Sequence, residues 1–131
     1  MTRYFSDKEL AARDTGVVKL APGFGDRIDA LREAWGKPLV VNSCCRTAAH
    51  NAAIGGHPNS LHVYDNPAHD TEGTCAIDFR LMATPEECEQ FKELALSMEF
   101  SVGDESSCIH VDDRTRVLGL PQKRFSYEAK P

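Results

Sequence analysis

Apolar residues recur along this chain at two periods, and the change from one to the other separates helices from strands. Ser6-Asp7-Lys8-Glu9 reads as a capping box, with Ser6 capping a helix whose third residue is Glu9. A short helix reaching about residue 13 is predicted there, ended near Gly16. Pro22-Gly23 breaks the chain, after which Ile28, Leu31 and Trp35 recur at helical spacing up to the stop signals Gly36 and Pro38. Residues 39–43 form a short apolar run before a turn and predict a strand. Residues 47–54 are alanine-rich and helix-compatible, closed by Gly55-Gly56. Residues 57–74 are polar, carry Pro58, Pro67 and Gly73, and show no period. A loop of that length in a small domain is more often functional than idle.

The second half alternates. In residues 76–81, Ile77, Phe79 and Leu81 face one way, and Ala76, Asp78 and Arg80 the other. Thr84-Pro85-Glu86-Glu87 is a second capping box with proline at the first helical position, and Phe91, Leu94, Ala95 and Met98 give the following helix an apolar face. Residues 100–103 read as a weaker strand. In residues 108–112, Ile109 and Val111 turn toward a core, while Cys108, His110 and Asp112 share the other face. Early helices and later strands split by one helix predict an α+β fold with a small, mainly antiparallel sheet packed by helices.

The chain has 131 residues, with 15 Lys+Arg against 20 Asp+Glu, a formal charge of −5. That size predicts a single domain over 1–131. The acidic balance argues against holding nucleic acid or an anionic membrane by charge. No apolar run approaches the ~20 residues of a membrane span, and the first residues lack the apolar centre of a secretory signal. Five cysteines cannot all pair internally, and without a C-x-x-C they read as reduced, mostly buried thiols.

The chemistry falls on the polar strand faces. Asp78 and His110 lie away from the apolar residues, and the long loop adds His57, His62 and His69. Two imidazoles and a carboxylate make a three-ligand zinc site whose fourth position is open. A water there becomes a nucleophile near neutral pH. The bland alternatives are a solvated aspartate and scattered histidines.

Arg46 with Asn51, Gly55-Gly56, Asn59-Ser60-Leu61-His62, Ala76-Ile77-Asp78 and Ile109-His110-Val111-Asp112, in that order, resemble the zinc D,D-peptidases of the M15 type. These include D-alanyl-D-alanine carboxypeptidases and phage cell-wall endopeptidases, and the resemblance is to their small single-domain branch. It implies that His62, Asp78 and His110 hold Zn2+, that Arg46 binds the substrate through a carboxylate or the scissile carbonyl, and that Ser60 bonds the substrate backbone. His62 and Asp78 stand farther apart than the family spacing, with an insertion at about residues 63–74, so His69 is an alternative ligand to His62. Many relatives carry an acid three residues before the last ligand; here that residue is Ser107. The base is then Asp112, two residues after His110 on the same strand face, or Glu105 in the preceding loop, with Asp112 ranked first. An orienting role for Asp112 toward His110 is its other reading.

The function expected is hydrolysis of peptidoglycan stem peptides by a monomer, as a carboxypeptidase or an endolysin-type endopeptidase. The missing signal predicts cytoplasmic synthesis and fits a phage-encoded enzyme released to the cell wall. A zinc- or peptide-binding module without turnover, as in the related hedgehog signalling domain, is the second reading. The charged run Asp113, Arg114 and Arg116 reads as a solvated turn, and Trp35 as core.

Overall fold

The computed structural model describes residues 2–65, 73–81, 83–105 and 108–126. Its elements run α1 (Asp7–Leu10), α2 (Phe24–Trp35), β1 (Val40–Ser43), α3 (Ala48–Ala53), β2 (Ala76–Arg80), α4 (Pro85–Ser97), β3 (Ser101–Asp104), β4 (Ile109–Asp112), α5 (Arg114–Leu118) and β5 (Arg124–Ser126). Five strands form one sheet in the order β1-β2-β4-β3-β5. Among the named strands of the described residues the β3–β5 pair is parallel and the other pairs are antiparallel, so the fold is α+β as the alternation predicts.

Local chemistry explains where the helices begin and end. Both predicted capping boxes form, with Ser6 and Thr84 each accepting a backbone N–H and Glu9 and Glu87 reaching back. The first helix is shorter than predicted: Ala11 is already extended, and its backbone N–H closes on Asp7. The second starts directly after Pro22-Gly23 and ends at left-handed Gly36.

The two faces of the sheet divide the labour. Ile77, Phe79, Ile109, Val111 and Val102 are buried toward α2 and α4, where Phe24, Phe91 and Phe100 are fully enclosed. Phe79 meets Phe91 edge-on with ring centroids 5.9 Å apart, and Trp35 meets Phe91 at 5.3 Å, arrangements that add to the area term. Burying each such phenylalanine contributes roughly 1.5–3 kcal/mol.

On the opposite face, register aligns Ser43, Asp78, His110, Gly103 and Phe125 in one row across all five strands. The polar positions of the alternating segments thus become the floor of a cleft.

Two further features depart from the sequence reading. The run after β4 is no solvated turn. Asp113 is fully buried and accepts from Arg27 of α2 and from Arg116, while the Arg27 guanidinium lies 4.1 Å over the Phe100 ring. A buried carboxylate persists because it is paired. The second departure is β5, which carries no alternating signal and is drawn in from outside. Gln122 donates to the Leu96 and Phe100 carbonyls, and these bonds seat residues 124–126 beside β3.

Candidate metal centre

His62 sits in the loop after α3, and its main chain is clamped there. Its carbonyl accepts from the Arg46 N–H and from the Thr74 hydroxyl. Thr74 follows Gly73, whose φ is +109° and where a Cβ would lie 2.5 Å from the Ala21 nitrogen. Only glycine allows the chain to pass so close to residues 20–21. The loop is therefore tied at both ends around His62. His69, Asp70 and Glu72 lie outside the described residues, as does Ser107.

Three donors converge over the sheet. Asp78 Oδ1 is 3.2 Å from His62 Nε2 and 3.0 Å from His110 Nδ1, and all three residues are buried. The far nitrogens of both rings are occupied. His62 Nδ1 lies 2.8 Å from the Cys44 carbonyl, which can only accept, so that nitrogen carries the hydrogen. His110 Nε2 lies 2.8 Å from Asp112 Oδ2 and likewise donates. With those hydrogens assigned, each neutral ring turns a lone pair toward the Asp78 carboxylate. Three acceptors facing one another repel unless a cation stands among them.

A divalent metal fits that arrangement. Tetrahedral zinc bonds of ~2.0–2.1 Å place ligand atoms about 3.3–3.4 Å apart. The two contacts to Asp78 are close to this, and all three donors lie within 4.8 Å of one another. Imidazoles anchored by a carbonyl and a carboxylate are the usual outer support of such ligands.

Without metal a proton takes the place. Burial lowers the His110 imidazole, but Asp112 and Asp78 outweigh it and push it up to about 9. Burial raises the Asp78 carboxyl, yet His62 and His110 outweigh that and hold it well below the usual carboxylate range. Because the folded His110 value exceeds the ordinary 6.5, its contribution to stability is complete below that pH and is lost as pH rises through about 9. Metal competes with this proton. The difference in Tm between zinc-loaded and chelator-treated protein is therefore expected to widen from pH 6.5 to pH 9. Thermal unfolding over that range checks it, and a constant difference would contradict the ligand role of His110.

The two candidate bases sit differently relative to the three donors. Asp112 is fully buried, and its oxygens accept from His110 Nε2 and from the Arg114 N–H, Nε and Nη2 at 2.6–3.1 Å. It lies beyond the far edge of the His110 ring from Asp78, away from the donor cluster. Glu105 borders the cleft, and one of its oxygens lies within 4.8 Å of Asp78 and of Cys108. The Cys108 thiol, pushed up by burial and by Glu105, stays protonated and donates to Glu105 Oε2.

The cleft over the donors encloses about 950 Å³. Arg46 lines it, with Nη1 on Asn51 Oδ1 (2.9 Å) and Nη2 on Ser43 Oγ (3.1 Å). Asn51 reaches Arg46 because Gly56 is bare: a Cβ there would meet Asn51 Oδ1 at 2.1 Å. Ser60 also lines the cleft, and its hydroxyl accepts the His62 N–H at 3.3 Å. His57 is on the rim, its Nδ1 taken by the Asn59 N–H. His50 lies on α3, outside the donor group.

Sequence reasoning did not find the Cys44 carbonyl, Arg114 or Phe125. A main-chain acceptor leaves no mark in side-chain identity. Arg114, two residues after Asp112, had the same charged-turn appearance as its neighbours.

A family model described as Peptidase M15 matches residues 3–112. No curated protein matches the chain. The match takes in all three converging donors and runs to the carboxylate that steadies the last of them, so the chain belongs to the peptidase M15 family of zinc-dependent metallopeptidases.

Proposed function

We propose that this chain is a single-domain, monomeric zinc peptidase over residues 1–131 that hydrolyses peptidoglycan stem peptides, as a D-alanyl-D-alanine carboxypeptidase or an endolysin-type endopeptidase. A phage-encoded enzyme released to the cell wall is one setting in which such a substrate would be met. The observation that supports the reading is the convergence of three buried donors: His62 Nε2 and His110 Nδ1 lie 3.2 and 3.0 Å from Asp78 Oδ1, and the other nitrogen of each ring meets a fixed acceptor. The His62–Asp78–His110 group offers three donors, and Glu105 and Cys108 approach Asp78 within 4.8 Å without joining that group, which in this reading leaves a fourth position to water or substrate. An open position on one side of a cleft suits catalysis.

His62, Asp78 and His110 hold Zn2+ in this reading. Zinc there supplies Lewis acidity toward an amide carbonyl and a water. Glu105 takes the proton of the attacking water and later delivers it to the departing amine nitrogen as the C–N bond breaks. Cys108 fixes one oxygen of Glu105 for that transfer. Arg46 and Ser60 hold the substrate, the guanidinium fork matching a carboxylate or the scissile carbonyl.

Stem peptides incubated with zinc-loaded protein, with chelated protein and after zinc is restored are expected to be cleaved, spared and cleaved, as read by mass spectrometry. Zinc binding without cleavage would favour the non-catalytic module instead. Arg46→Lys is expected to lower kcat/KM roughly tenfold to a hundredfold, the worth of charged hydrogen bonds, because a lysine keeps the charge and loses the fork. An unchanged value would remove Arg46 from substrate binding.

A further inference from the structure

The cleft has a wall that the family match does not reach. Leu120, Lys123 and Phe125 line it, but the match ends at Asp112. This segment is built onto the metal centre. Phe125 stands in the donor row, and its ring lies 5.5 Å from that of His110. Gly103 is the residue of the row between them and carries no side chain. The Arg114 guanidinium, fixed by Asp112, covers the Phe125 ring at 5.3 Å. Lys123 is anchored through its main chain, donating its N–H to Ser101 Oγ (2.9 Å) and accepting from the Val102 N–H (3.0 Å).

Strand order then separates two cations. Arg46 follows β1 at one edge of the sheet, Lys123 precedes β5 at the other, and Asp78 and His110 lie on the strands between. Leu120 remains 45% exposed despite its apolar side chain. In a chain of net charge −5, positive charge on both flanks of one cleft concentrates anionic ligands there. Apolar Leu120 and Phe125 next to a lysine in the same lining suit an aliphatic segment that ends in a carboxylate.

We infer that Leu120, Lys123 and Phe125 form a second recognition wall, and that the substrate is a peptide with carboxylates on both sides of the scissile amide, one met by Arg46 and the other by Lys123. This deepens, and rests on, the peptidase reading. The probe is a stem peptide with its carboxylates free, compared with versions in which each carboxylate is amidated in turn. For the native protein, amidation on the Lys123 side is expected to lower kcat/KM about tenfold. In Lys123→Met most of that penalty disappears, while the penalty on the Arg46 side persists. Calorimetric binding of the same peptides to chelator-treated protein is expected to repeat the pattern without turnover. Equal penalties in both proteins, or coupling of Lys123 and Arg46 to one and the same carboxylate, would overturn the inference. Binding with the expected pattern but no cleavage would overturn the peptidase reading alone; cleavage without the pattern would overturn this wall alone.

Discussion

His110→Ala is expected to abolish zinc binding and hydrolysis together while leaving the helical and strand content in place. The imidazole supplies one of the three donors, and its loss leaves Asp78 facing His62 alone. The apolar side of β4, Ile109 and Val111, is untouched by the change. Zinc stoichiometry after dialysis, read beside circular dichroism, decides the outcome; full stoichiometry in a folded variant would refute the assignment. His62→Ala is expected to behave in the same way. His69→Ala is expected to keep its zinc, and if it loses the metal while His62→Ala retains it, the two histidines exchange roles.

Glu105→Gln and Asp112→Asn are expected to fail in different ways. Removing the proton acceptor lowers kcat by about 10²-fold or more with zinc still bound, because Glu105 is outside the His62–Asp78–His110 group. Asp112→Asn loosens the acceptor of His110 Nε2 and weakens the hold on Arg114, so zinc affinity is expected to drop by 10- to 100-fold. Measuring kcat at saturating zinc alongside the zinc Kd separates the two. If Asp112→Asn at full zinc occupancy shows the large kcat loss and Glu105→Gln does not, the proposed order of the two is reversed.

What the sequence reveals depends on how local the cause is. Both capping boxes are legible because every partner lies within four residues. The alternation of Ile77 and Phe79, and of Ile109 and Val111, reveals β2 and β4 because a strand buried on one face writes its period into composition. The polar positions of the same segments then supply Asp78 and His110. Asp113 is misread because its burial depends on Arg27, distant in sequence and held on another element. Strand β5 is invisible for a similar reason: three residues carry no period, and glutamine bonds to the end of α4 and the start of β3 seat it. The ranking of Asp112 over Glu105 follows strand-face parity, which places a side chain on a side of the sheet without saying which ring nitrogen it meets, and the two substitutions above decide between them.

The unequal anchoring of the two histidines has a mutational consequence. One ring is steadied by the peptide carbonyl of residue 44, a group that any amino acid encoded there would still provide. The other depends on the side chain at position 112, where a single codon change can withdraw the support. A substitution of the same size at the buried first site therefore leaves its anchor in place, whereas any change at the second removes the anchor with the side chain.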